Sequence, residues 1–82
     1  MQVVKRRKPS LAGVLVHYWR ARAGMTQEDL AAKIGVNRAA VSQWETGETS
    51  PREAHIKKIA EALDLSVAGF YAAIDSAHRE AG

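Results

Sequence analysis

The sequence contains no cysteine, which excludes disulfides, thiolate metal sites and a cysteine nucleophile. No apolar run approaches the roughly 20 residues needed to span a bilayer. Nothing alternates with period two for long enough to read as a strand. The six glycines are scattered as helix stops and turns, so no Gly-rich loop exists to cradle a phosphate. Internal repeats and low-complexity segments are also absent. His17, His55 and His78 fall on different elements, without the spacing of metal ligands. His17 reads as a half-exposed face residue, and His55 and His78 as solvated helix residues. Glu61, Asp64 and Asp75 read as surface or cap carboxylates with no neighbour to tune them for acid–base work. The reading is a non-enzyme with no metal and no cofactor.

Negative charge is missing from the first part of the chain. Up to Gly24 there are six basic residues and no acids, whereas the remainder carries six basic and nine acidic residues, a balance of −3. Positive charge gathered at one end suits a polyanionic partner. A basic start, the apolar stretch Leu11–Val16 and Ala21-Arg22-Ala23 imitate a secretory signal. The stretch is six residues long, below the usual range of about seven to fifteen. The expectation is a cytoplasmic, unprocessed protein.

What is present is 82 residues, 46% hydrophobic and 26% charged. That is one soluble domain with a single core, since a chain this short buries roughly 60% of its unfolded surface. Residues 1–9 form a basic arm containing Lys5, Arg6, Arg7 and Lys8, and residues 10–82 form the domain. Ser10 is a candidate N-cap for a first helix running to about Ala23 and stopping at Gly24. Its core face is Ala12, Leu15, Val16, Trp19 and Ala23. Thr26 caps a second helix, with Asp29 completing a capping-box variant, and Leu30, Ala31 and Ile34 point inward. Asn37 caps a third helix running to about Glu45, anchored by Val41 and Trp44. Ser50-Pro51-Arg52-Glu53 reads as cap, N1 proline and N3 glutamate of a fourth helix, with Ile56, Ile59, Ala60 and Leu63 inward. Ser66 caps a fifth, with Val67, Phe70, Ala73, Ile74 and Ala77 on one side.

Only Gly35, Val36 and Asn37 separate the second helix from the third. A turn that short, opening on glycine, reverses the chain sharply, as a helix-turn-helix over residues 27–46 requires. Ala31 supplies the small residue where the two backbones approach. An ordinary helical hairpin explains the apolar positions equally well. It does not explain the short turn combined with a third helix whose outer face is Arg38, Ala39, Ser42 and Gln43.

Arg20, Gly24-Met25-Thr26-Gln27, Leu30-Ala31 and Gly35-Val36, followed by Val41-Ser42, Trp44-Glu45, Gly47 and Pro51, resemble the lambda repressor-like helix-turn-helix family, also called the XRE family. The likeness covers roughly residues 12 to 71. It implies an all-α, compact five-helix domain that binds double-stranded DNA, usually as a homodimer and usually as a transcriptional regulator. Gly13 departs from the family's larger residues there, and Glu48 makes the loop after Gly47 acidic. By the resemblance Arg20 and Glu45 are a structural pair locking the first helix to the end of the third. The resemblance also gives Gln27 a backbone contact and a role in propping the recognition helix.

Base-edge chemistry assigns the outer face of the third helix. Arg38 suits a two-pronged contact with guanine and Gln43 one with adenine. Ala39 presents a methyl suited to thymine, and Ser42 a hydroxyl for a base or phosphate. A solvated surface arginine is the alternative for Arg38. Gln27 opens a helix whose N–H groups favour a phosphate, and Asn37 serves as cap, phosphate contact or both. Lys33, Thr46 and Thr49 are further DNA-backbone candidates. Lys5, Arg6, Arg7 and Lys8 either track phosphates or form a solubilising tail. Apolar surplus marks Leu11, Val14, Tyr18, Phe70, Ile74 and Ala77 as candidates for pairing with each other or with a second copy. The function expected is a dimeric repressor or autoregulator reading a palindromic operator in the major groove. The alternatives are an antitoxin-like module with a protein partner and a peripheral binder of acidic lipid.

Overall fold

The computed structural model describes residues 9–73. Lys5, Arg6, Arg7, Lys8, Ile74, Asp75, Ala77 and His78 lie outside them. Five helices follow in order: α1 Leu11–Arg22, α2 Gln27–Ile34, α3 Arg38–Thr46, α4 Glu53–Ala62 and α5 Val67–Tyr71. The fold is all-α, as the periodicity predicts.

Local chemistry sets most boundaries. Ser10 Oγ accepts from Gly13 N–H and starts α1. At its far end Met25 N–H donates to the Arg20 carbonyl and Gly24 N–H to that of Ala21, with Gly24 at φ +70°. This paired pattern, built around a left-handed residue, satisfies carbonyls the helix leaves unpaired. Thr26 and Asp29 exchange reciprocal bonds of 3.0 and 2.9 Å at the start of α2, so the capping box forms. Asn37 Oδ1 accepts from Ala40 N–H at 2.9 Å and caps α3.

The fourth helix begins later than its sequence signal suggests. Its N-cap is Arg52, without a side-chain cap bond. Pro51 is buried in the position before the cap, with Ile56 four residues into the helix, the spacing of a hydrophobic staple. Burial of the ring thus outcompetes capping by Ser50, which stays exposed. Two further expectations fail on burial: Ala23 is exposed because it ends α1, and Val67 is 40% exposed because α5 turns Phe70 inward instead.

The core consists of Leu15, Val16, Leu30, Ala31, Ile34, Val41, Trp44, Ile56, Ile59, Ala60, Phe70 and Ala73, drawn from every helix and the turn after α5. Phe70 is fully buried, which removes it from the pairing candidates. Trp19, half-buried, donates its indole N–H to the Phe70 carbonyl at 2.9 Å and fastens α1 to α5. The His55 ring lies 5.2 Å from Trp44, and its Nδ1 is shielded from solvent, so His55 is packed rather than solvated. Gly13 is buried in α1. A Cβ there would collide with the Trp44 carbonyl oxygen, so its missing side chain is what lets α1 and α3 close together.

Candidate nucleic-acid interface

The turn between α2 and α3 has the expected three residues, with Gly35 at φ +78°. Gly35 and Val36 N–H both donate to the Ala31 carbonyl, at 2.9 and 3.0 Å. A side chain at Gly35 meets no steric obstacle, so its left-handed backbone is what favours glycine there.

Beyond the turn, α3 divides cleanly. Val41 and Trp44 are buried, while Arg38, Ala39, Gln43 and Thr46 are exposed and Ser42 half-exposed. Positions 38, 39, 42, 43 and 46 follow helical spacing along one side, so the four base-reading candidates and Thr46 share a single stripe. Asn37 stands exposed at the start of that stripe. Its oxygen is committed to the cap, which leaves the amide N–H groups to face outward. Thr49 is exposed in the loop after Gly47. Lys33 instead lines a groove with Lys58 and Glu61 at the boundary between α2 and α4, not beside the α3 stripe.

Behind the stripe lies a polar cluster that ties three helices together. Arg20 of α1 donates to both oxygens of Glu45 in α3, Nε to Oε2 at 2.7 Å and Nη2 to Oε1 at 2.8 Å. A third bond, Nη1 to the Met25 carbonyl at 2.8 Å, holds the chain just before α2. The side chains of Arg20 and Glu45 are 14% and 8% exposed, so water competes weakly for this two-pronged pair. Burial alone would raise the Glu45 carboxyl. Hydrogen bonds from Arg20, Gln27 and His17, together with the Arg20 charge, outweigh it and hold the group below its ordinary value. The hydrogen bond to Glu45 raises Arg20 above its ordinary value.

Gln27 links this cluster to the stripe. Its Nε2 donates to Glu45 Oε1 at 3.1 Å, and its Oε1 accepts from Arg38 Nη1 at 3.5 Å, a long contact. An acceptor on one side and a guanidinium on the other fix the amide's orientation. The cluster also takes in His17, whose Nδ1 lies 3.1 Å from Glu45 Oε1 and 3.2 Å from Arg20 Nη2. The sequence presents His17 only as a half-exposed face residue. The available signal was its position three residues before Arg20, which puts both on one side of α1.

Of the pairing candidates within the described residues, Leu11 and Val14 are 46% and 40% exposed. Tyr18 is half-buried, edge-on to Trp19 at 5.3 Å, with the Arg22 guanidinium 5.1 Å from its ring. Among the described residues no group of three or more His, Cys, Asp or Glu is placed to hold a metal ion, and no helix is long and apolar enough to cross a membrane.

Three solved structures place this geometry. The restriction-modification controller protein C.AhdI from Aeromonas hydrophila is 31% identical, with a TM-score of 0.66 over 71% of this chain and 84% of that one. The P22 c2 repressor, solved in complex with synthetic operator 9T, is 30% identical, with a TM-score of 0.65 over 74% and 92% of the two chains. The clp gene regulator ClgR from Corynebacterium glutamicum is 26% identical, with a TM-score of 0.74 over 90% and 83%. No curated protein matches the sequence. The profile of the helix-turn-helix family HTH_3 matches residues 16–70. The chain therefore belongs to that family, the XRE or lambda repressor-like DNA-binding transcriptional regulators.

Proposed function

We propose that the protein is a sequence-specific repressor or autoregulator that acts by binding operator DNA rather than by catalysis. The observation carrying this reading is the α3 stripe, exposed on one side and anchored on the other by Val41 and Trp44. A helix held that way lies in the major groove with its N-terminal residues against base edges. Arg38 takes guanine, Gln43 adenine and Ala39 a thymine methyl, while Ser42 bonds a base or a phosphate. Gln27, Asn37, Thr46 and Thr49 border the same side as phosphate contacts, with the basic arm as an additional one.

Leu11, Val14 and Tyr18 provide the face for pairing with a second copy. Two-fold pairing places recognition helices about 34–36 Å apart, on a palindromic site. Selection of bound duplexes from random DNA tests the whole reading. The expected product is a palindrome whose half-sites repeat at that spacing, and a product without sequence preference overturns it. Leu11→Glu is expected to reduce dimer mass and operator affinity together. If both stay unchanged, pairing uses another face.

A further inference from the structure

We propose that Glu48 is a brake on DNA binding: its charge at the exit of α3 repels the phosphates that Thr46 and Thr49 approach, and holds the affinity of each half-site down. The inference rests on the reading of α3 as the DNA-contacting element, and it adds a residue that opposes binding to those that favour it.

The backbone fixes the position of Glu48. Gly47, at φ +87°, turns the chain back over the end of α3. The N–H groups of Gly47, Glu48 and Thr49 converge on the Gln43 carbonyl, those of Glu48 and Thr49 at 3.0 and 3.3 Å. Glu48 is therefore tied to a residue of the stripe and stands between Thr46 and Thr49, all three of them exposed. A charge acts over about 8–10 Å at ordinary ionic strength. A carboxylate set between two phosphate contacts thus acts on the same strand whichever rotamer it takes.

Nothing in the fold accounts for that charge. Among the described residues Glu48 has no ion pair and no side-chain hydrogen bond. It follows the C-terminus of α3, the negative end of the helix dipole, where an acid is unfavourable. Each of the other described acids has a structural account. Glu28, Asp29 and Glu53 lie in first turns, at positive helix ends, and Glu45 is paired with Arg20. Glu61 lines the groove that holds Lys33 and Lys58. Asp64 takes a left-handed position at φ 60°, which a short polar side chain tolerates. Glu48 alone works against its helix and against a polyanion without return. A weak half-site makes occupancy of a palindrome depend on two copies bound together, which gives the brake its use.

The test compares the 82-residue chain with Glu48→Gln and with Glu61→Gln, which removes an equal charge away from the α3 stripe. Affinity is measured against salt for a duplex recovered by selection and for a scrambled duplex of equal length. Glu48→Gln is expected to bind both duplexes about two- to fivefold more tightly at about 0.1 M salt. The gain should shrink as salt rises, steepening the log–log slope by up to about 0.9 for each copy bound. Glu61→Gln is expected to leave both affinities unchanged. The denaturation midpoint of Glu48→Gln should stay level or rise, and a fall would give the residue a structural role instead. Unchanged affinity, equal gains from both variants, or a gain that persists at high salt overturns the brake and leaves DNA reading intact. A loss of affinity also overturns it; confined to the selected duplex, it assigns Glu48 to a base edge, where a carboxylate accepts from cytosine N4. Selection that yields no preferred sequence overturns the operator reading, while the scrambled duplex still decides the role of Glu48.

Discussion

At the residue scale, two side chains and one missing side chain hold the interface in place. Arg20 and Glu45 are nearly buried and bond at both carboxylate oxygens, so removing one strands the other. Arg20→Met or Glu45→Leu alone is expected to cost about 3 kcal/mol by chemical denaturation. The double substitution should recover part of that loss, because an apolar pair of similar bulk leaves no buried charge. Gly13 matters for what it lacks. Gly13→Ala forces a methyl onto the Trp44 carbonyl oxygen, and because backbone must move, the expected loss is about 2 kcal/mol. Absence of any change in the denaturation midpoint would mean that α1 and α3 are not closely seated. Arg38→Ala, by contrast, leaves stability unchanged. It should relax preference at one position of each half-site by about 1–3 kcal/mol, as read by competition between single-base variants of the selected duplex.

At the element scale, the caps separate what was legible in the sequence from what was not. Ser10, Thr26, Asn37 and Ser66 each cap the helix they precede, since a short oxygen-bearing side chain satisfies N–H groups one turn ahead whatever the tertiary context. Ser50 fails because the outcome depended on the buried Pro51, and burial is a property of the assembled fold. Val67 fails for a similar reason. Five residues of helix do not define a face strongly enough to overrule the packing of Phe70. Glu45 and Arg20 follow from family likeness, whereas the i, i+3 spacing of His17 to Arg20 places the two on one side of α1 without saying that Glu45 of α3 closes over both, which only the fold shows. Asn37 carries two roles that substitution can separate. Asn37→Ser keeps an oxygen for the cap, and Asn37→Ala loses it, at about 1 kcal/mol by thermal or chemical unfolding. If both variants lose DNA affinity equally at temperatures where both are folded, the outward amide is the phosphate contact.

At the scale of the whole molecule, the folded state should be acid-labile for a nameable reason. Glu45 is held below its ordinary value in the fold, so the native protein releases that proton more readily than the unfolded chain. The resulting stability is complete above the ordinary carboxylate value of about 4.5 and disappears as pH falls through the lowered native one. A plot of denaturation midpoint against pH should therefore drop below about pH 4.5, and Glu45→Gln should drop less steeply. DNA affinity should fall steeply with salt, because phosphate contacts release counterions. The indole bond from Trp19 to the Phe70 carbonyl spans 51 residues of sequence. During synthesis α1 can pack on α3 first, but the Trp19 bond cannot form until the region around residue 70 has left the ribosome. A nascent chain stalled before that point should be cleaved faster beside Trp19 than one released beyond it.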